Sequence, residues 1–258
     1  MKSRVELLAG VEAMARQAGA LILEVYAKDF AVRGKADSSP VTEADERAER
    51  CILRALRALD PDTPVVAEEA VSAGCAPSVG QRFWLVDPLD GTREFVSRNG
   101  EFTVNIALVE AGAPVLGVVF EPVADRLYAG VVGQGAWLEE QGVRREMACR
   151  KRPAQGLVLA CSRSHGDEAA LTAWLGSRAV AQRIAVGSSL KFGLIAAGQA
   201  DVYPRFGRTM EWDTAAGHAV LSAAGGAVLD LAGAPLRYGK TGFENPHFVA
   251  WGLPPAPA

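Results

Sequence analysis

The stretch Trp84-Leu85-Val86-Asp87-Pro88-Leu89-Asp90-Gly91-Thr92 constrains this chain more than any other. An apolar run ends in a turn that carries two carboxylates, followed by a hydroxyl. Pro88 disfavours the α region for Asp87 and keeps it extended. Pro88 also lacks an N–H, which predicts that a central strand ladder stops there. The turn then delivers Asp87 and Asp90 to one point and exposes the Leu89 carbonyl. Gly91 lets the backbone approach an anion closely, and a helix starting after it would offer free N–H groups to a phosphate. Two carboxylates held close repel each other unless one is protonated or a cation lies between them. Hard oxygen ligands of this kind suit Mg²⁺, and the Thr92 hydroxyl is placed to orient an attacking water.

At 258 residues the chain can bury a large core, as one domain or two. Hydrophobic residues at 49% and charged residues at 22% exclude a disordered chain. A formal charge of −3 argues against a general nucleic-acid binder, so an anionic substrate needs metal ions or a few placed Arg and Lys. Cys51, Cys75, Cys149 and Cys161 form no CxxC pair and no zinc spacing; they read as reduced thiols, three of them core filler. The N-terminus lacks a signal-peptide pattern, and no apolar run reaches membrane-spanning length. The reading is a cytoplasmic protein, with peripheral attachment to the cytoplasmic face of the inner membrane left open.

Leu8, Val11, Ala15, Ala18, Ile22 and Val25 recur at helical spacing within residues 4–27. The segment 30–40 reads as a loop. A second helix starts near Thr42, with Ala44, Ala48, Cys51, Ile52, Ala55, Leu56 and Leu59 as its buried stripe, and Asp60-Pro61 stops it. Thr42-x-x-Asp45 is either a capping-box start or a first turn that points Asp45 into a site. Residues 64–67 form a short strand that ends at Glu68-Glu69, which is either a solvated loop start or part of a shared site. Strands over 83–86, 102–109, 115–120 and 127–132 make an antiparallel meander that turns at Gly133-Gln134-Gly135. The second half alternates: strands over 157–161, 179–186, 201–203 and 227–231, and helices over 167–175, 188–197 and 214–224. The polar, basic stretch 147–155 marks a boundary, giving an N-terminal α+β subdomain (1–150) and a C-terminal α/β subdomain (151–258). Glu121, Asp125 and Glu211 read as solvated or turn residues, and Asp213 before a helix reads as an N-cap.

Asp87-Pro88-Leu89-Asp90-Gly91-Thr92, with Glu68-Glu69 before it and Trp212-Asp213-x-Ala215-Ala216-Gly217 after it, resembles the inositol monophosphatase superfamily of Mg²⁺-dependent, lithium-sensitive phosphomonoesterases. The segments 93–95, 98–108, 162–165, 187–192 and 203–207 resemble its bacterial 3′(2′),5′-bisphosphate nucleotidases of the CysQ type, with Arg93 where that type often has Lys. The resemblance implies a layered αβαβα sugar-phosphatase-like fold. It implies that Glu68, Asp87, Asp90, Asp213 and the Leu89 carbonyl bind two or three Mg²⁺ ions. Glu68 and Asp87 would hold the ion that activates water; Asp87, Asp90 and Asp213 would hold the one at the leaving oxygen. Asp45 would accept a hydrogen bond from Thr92, which orients the water. Asp45, Glu68 and Thr92 are therefore the catalytic candidates. Gly91, Thr92, Ser164, His165, Ser188, Ser189, Lys191, Arg205 and Asp213 are the implied substrate contacts. A second phosphate that the metals do not neutralise calls for Lys and Arg, and Arg can bind it bidentately.

The implied reaction removes the 3′-phosphate of adenosine 3′,5′-bisphosphate, with the sulfated form as a further substrate. The partner is thus a small molecule, with no nucleic acid, and the protein a monomer or homodimer. Two rivals are the same chemistry on inositol monophosphate or fructose 1,6-bisphosphate, and a non-catalytic nucleotide or cation sensor. A sensor is expected to have lost a ligand, and here every acidic position is filled.

Overall fold

The computed structural model describes residues 2–34, 40–163 and 167–254. The two amphipathic stripes form α1 (Arg4–Tyr26) and α2 (Glu43–Leu59). Each opens on a capping box, Ser3 with Glu6 and Thr42 with Asp45. Between them, β1 (Arg33–Gly34) pairs antiparallel with β2 (Pro40–Val41), where the sequence reads as a loop.

The stripes pack on a seven-stranded sheet. Its order is β3 (Val65–Ala67), β4 (Arg82–Asp90), β5 (Thr103–Glu110), β6 (Ala113–Glu121), β7 (Arg126–Val131), β8 (Gly135–Glu140) and β9 (Val143–Met147). β3 runs parallel to β4, and the rest is an antiparallel meander. The sequence reading carries the meander only to β7. β9 is an edge strand whose residues are exposed except Met147, so it lacks the alternation that marks a half-buried strand. Short helices α3 (Glu68–Ser72) and α4 (Thr92–Val96) leave the ends of β3 and β4.

After Met147 the chain crosses to a five-stranded sheet. Its strands are β10 (Leu157–Ser162), β11 (Val180–Val186), β12 (Val202–Arg205), β13 (Ala227–Asp230) and β14 (Phe248–Trp251), in the order β11-β10-β12-β14-β13. β10 is parallel to β11 and β12, whereas β14 is antiparallel to β12 and β13. The sequence reading lacks β14, because four apolar residues alone do not tell a strand from other buried chain. α5 (Glu168–Leu175) packs on one face of this sheet through Leu171 and Leu175. α6 (Leu190–Ala196) and α7 (Glu211–Ala223) share a core with the other face.

Alternation along β4 sets the layers. Trp84 and Val86 join the buried cluster of α1 and α2, while Phe83 and Leu85 join the one that holds Phe192, Ala216, Val220 and Phe248. The result is the expected αβαβα stack. The halves on either side of residue 150 share that second cluster. β6 and α7 meet so closely that a Cβ on Gly117 would lie 2.3 Å from the Ala216 carbonyl oxygen.

Two acids expected in solvent are buried. Glu121 pairs with Arg126 at 3.1 Å. Glu211 accepts the backbone N–H groups of Gly239 and Lys240 at 2.7 and 2.9 Å, which pins the start of α7. Asp125 is an exposed turn residue bound to Arg16 at 2.7 Å. All four cysteines are free; three are half-buried and Cys75 is exposed. Among the described residues no helix is long and apolar enough to cross a membrane.

Candidate active site

β4 delivers Asp87 on the same face as Phe83 and Leu85, toward α7. Its ladder does not end at Pro88 as the sequence predicts. Asp87 pairs with Asn105, the register shifts across Pro88-Leu89, and Asp90 pairs with Thr103. Pro88 is accommodated because the shift removes the need for its N–H. The Leu89 N–H donates to Asp87 Oδ1 at 3.0 Å and fixes the turn. Gly91 adopts φ 92°, and a Cβ there would lie 3.3 Å from both Glu101 O and Ser188 Cβ. α4 then begins at Thr92.

α2 supplies two acids four residues apart on its buried face. Asp45 Oδ2 accepts from the Thr42 N–H and hydroxyl, both at 2.8 Å, and Oδ1 lies 3.4 Å from Thr92 Oγ1. Asp45 therefore caps α2 with one oxygen and faces Thr92 with the other. Glu49 Oε2 accepts the Glu69 N–H at 2.8 Å, which anchors the short helix α3 that begins with Glu68. Sequence reasoning misses Glu49, although its spacing from Asp45 signals a shared face.

Asp213 is the third residue of α7, not its N-cap. Its Oδ2 reaches back to accept the Met210 N–H at 2.9 Å. Carboxylate oxygens of Glu68, Asp87 and Asp213 all come within 4.8 Å of one another. Asp90 lies beside them, with Oδ2 held by the Ser189 N–H at 2.6 Å and Asn105 Nδ2 at 3.3 Å.

These groups line a cleft of about 450 Å³. Glu68, Asp87, Leu89, Asp90, Gly91, Thr92 and Asp213 meet there with Ser188, Ser189, Lys191 and Arg205. Arg93, Tyr203 and Trp212, which fall within the segments that carry the resemblance, also line it, as does Arg208, whose isolated position in the sequence carries no pattern that marks a site. Ser164 and His165 lie outside the described residues. The Ser188 hydroxyl donates to the Glu101 carbonyl at 3.2 Å. Ser189 lines the cleft, and its hydroxyl donates inward to Asn105 Oδ1 at 2.7 Å. Lys191 is buried; Nζ donates to the Ser188 and Val186 carbonyls at 2.5 and 3.2 Å and lies 5.1 Å from the Tyr203 ring centroid.

The electrostatics are those of an undercompensated acidic cluster. Burial pushes Asp90 up to about 6, against the opposing charge of Lys191 and the Ser189 N–H. Burial, then Asp90 and Glu68, raise Asp213 well above the usual carboxylate range. Burial lowers Lys191 to about 8, with Asp90 opposing. Carboxylates that resist ionisation in one another's company fit a divalent cation, and an all-oxygen set without Cys or His fits Mg²⁺ better than zinc.

The chain matches the sequence profile of the inositol monophosphatase family over residues 3–252. The chain belongs to the inositol monophosphatase family. The 3′(2′),5′-bisphosphate nucleotidase CysQ of Escherichia coli O157:H7 is 51% identical over 238 residues, covering 91% of this chain and 95% of that protein. The crystal structure of CysQ from Bacteroides thetaiotaomicron, a bacterial member of the family, superposes with TM-score 0.78 at 39% identity, covering 95% of this chain and 96% of that one. An inositol monophosphatase from Zymomonas mobilis superposes with TM-score 0.79 at 25% identity, covering 98% and 95%. The fold is thus shared equally with both kinds of family member, and the side chains are shared more with the nucleotidases.

Proposed function

We propose that this chain hydrolyses the 3′-phosphate of adenosine 3′,5′-bisphosphate to give AMP and phosphate, with the sulfated analogue as a further substrate. The supporting observation is one cleft that joins an acidic cluster to Lys191 and Arg205, in a chain 51% identical to a 3′(2′),5′-bisphosphate nucleotidase. Such a cleft suits a substrate with two phosphates, one at the acids and one at the cations.

Enzymes of the family use Mg²⁺. Glu68, Asp87, Asp90, Asp213 and the Leu89 carbonyl would hold two or three such ions, and bound Mg²⁺ supplies the charge that activates water and stabilises the leaving oxygen. The chain's own groups do the positioning. Asp45 Oδ2 accepts from Thr42, and Oδ1 accepts a hydrogen bond from the Thr92 hydroxyl at 3.4 Å. Thr92 then presents a lone pair to accept a proton from the attacking water and fix its direction. Gly91 lines the cleft beside Asp90, and any side chain there would crowd Glu101, Ser188 and Glu94. Lys191 spends two of its three donors on carbonyls and has a third for the second phosphate, alongside the Arg205 guanidinium.

The test compares kcat/KM with Mg²⁺ for adenosine 3′,5′-bisphosphate, inositol 1-phosphate and fructose 1,6-bisphosphate. The bisphosphate nucleotide should lead. A tenfold or greater preference for inositol phosphate would sink the assignment. Asp90→Asn serves as the control, with a loss of at least about 100-fold, since even residues behind metal ligands are worth about 10–100-fold. Absence of phosphate release above this control on any phosphomonoester would favour the sensor.

A further inference from the structure

One oxygen of Asp90 is held by groups outside the acidic trio. Its Oδ2 takes the Ser189 N–H at 2.6 Å and Asn105 Nδ2 at 3.3 Å. Behind Asn105 lies a buried polar chain of Asn105, Ser189 and Thr103. Ser189 Oγ is 2.7 Å from Asn105 Oδ1, Thr103 Oγ1 is 3.2 Å from the same oxygen, and the two hydroxyls are 2.9 Å apart.

Proton counting gives this chain a direction. An ionised carboxylate only accepts, so the Asn105 amide must turn Nδ2 to Asp90 and Oδ1 to the hydroxyls. Three oxygen–oxygen contacts share two hydroxyl protons. Both shorter contacts are served if Thr103 donates to Ser189 and Ser189 donates to Asn105. Asn105 then donates to Asp90. Buried polar groups linked in this way hold one arrangement, because any break leaves a donor or acceptor unpaired.

The connectivity matters more than the bonds. Thr103 and Asn105 sit on β5, opposite Asp90 and Asp87 across the ladder. Ser189 is the residue that precedes α6, whose second residue is Lys191. Ser189 grips Asp90 by its backbone and Asn105 by its side chain, and so ties the Lys191 end of the cleft to a carboxylate of the metal site.

We propose that Ser189, Asn105 and Thr103 are positioning residues for the metal site: they fix Asp90 through its Oδ2, and Ser189 does so instead of contacting substrate. The proposal rests on reading the acidic cluster as the metal site.

The test measures Mn²⁺ binding by electron paramagnetic resonance in the substrate-free protein, then KM for adenosine 3′,5′-bisphosphate at saturating metal. The variants are Ser189→Ala, which keeps the backbone N–H, and Thr103→Val, which keeps shape and does not line the cleft. Ser189→Ala should weaken Mn²⁺ binding by about 10-fold, the usual scale for a partner behind a ligand, and Thr103→Val by a smaller factor. KM at saturating metal should stay put in both. Unchanged Mn²⁺ affinity in either variant overturns the proposal, as does a rise in substrate KM alone for Ser189→Ala. Failure of the wild-type protein to bind Mn²⁺ would overturn the metal reading itself, a result distinct from a normal wild type with unaffected variants. Both variants are small truncations or isosteres, and a matching thermal midpoint shows that each is folded.

Discussion

Lys191 carries its ammonium into the interior, where burial lowers it to about 8, with the Asp90 charge opposing and Arg205 adding to the fall. A cation in that position gains from a bound phosphate more than a solvated lysine would, because screening by water is reduced. A hydrogen bond to a charged group is worth about 1.5–3 kcal/mol, or about 10–100-fold. Lys191→Ala should therefore raise KM for adenosine 3′,5′-bisphosphate by about that factor, and raise it much less for adenosine 3′-monophosphate. Equal rises would show that Lys191 does not read the second phosphate. At this scale the sequence is legible where a residue type has one chemistry in its context. Asp87 and Asp90 around Pro88, if held close, need a cation or a shared proton between them. Ser189 is not legible, because a hydroxyl before a helix serves a ligand or the interior equally well, and only the position of Asn105 decides. Asp45 shows a third case: capping and a site contact compete in the sequence, yet a carboxylate has two oxygens, one at the cap and one facing Thr92.

Elements were readable in proportion to their burial contrast. α1 and α2 each bury one stripe and end on capping or stop signals, so their limits fall within a residue or two of the periodicity. β9 and β14 fail for opposite reasons, the first too exposed to alternate and the second too short to show a period. What no pattern reveals is the separation between layers. α7 lies directly on β6, and Gly117 sets that distance. A methyl group there would meet backbone at 2.3 Å, and backbone cannot rotate away as a side chain can. Overpacking costs typically about 1–3 kcal/mol, and in a chain of this size each kcal/mol moves Tm by about 2–4 °C. Gly117→Ala should lower Tm by at least that amount. Because α7 carries Asp213, Mg²⁺ affinity should fall together with Tm. A variant that lost Tm but kept its Mg²⁺ affinity would show that α7 shifts without displacing Asp213.

Across the whole molecule, the acidic cluster is assembled from α3, β4 and α7, which lie in both halves of the chain and meet over one shared core. Convergence of like charges works against that assembly. Asp90 at about 6 and Asp213, raised well above the usual carboxylate range, give the same sign. Below about pH 4, the range of an ordinary Asp, both are protonated in the folded and unfolded chain alike and cost nothing. As pH rises through about 6, the unfolded chain has already released these protons while the metal-free fold resists doing so, and stability falls. A bound divalent cation reverses the balance, because it requires the ionised form. Mg²⁺ should therefore stabilise the protein more at about pH 7.5 than at about pH 5.5, where protons compete for the same oxygens. At a concentration about 100 times Kd the gain is about 2.7 kcal/mol, or about 5–10 °C at about 2–4 °C per kcal/mol. Thermal unfolding with Mg²⁺ and with EDTA at both pH values measures it. An equal Mg²⁺ gain at the two pH values would mean that the ion does not displace these protons, and would separate the stability of the fold from the cluster that its two halves bring together.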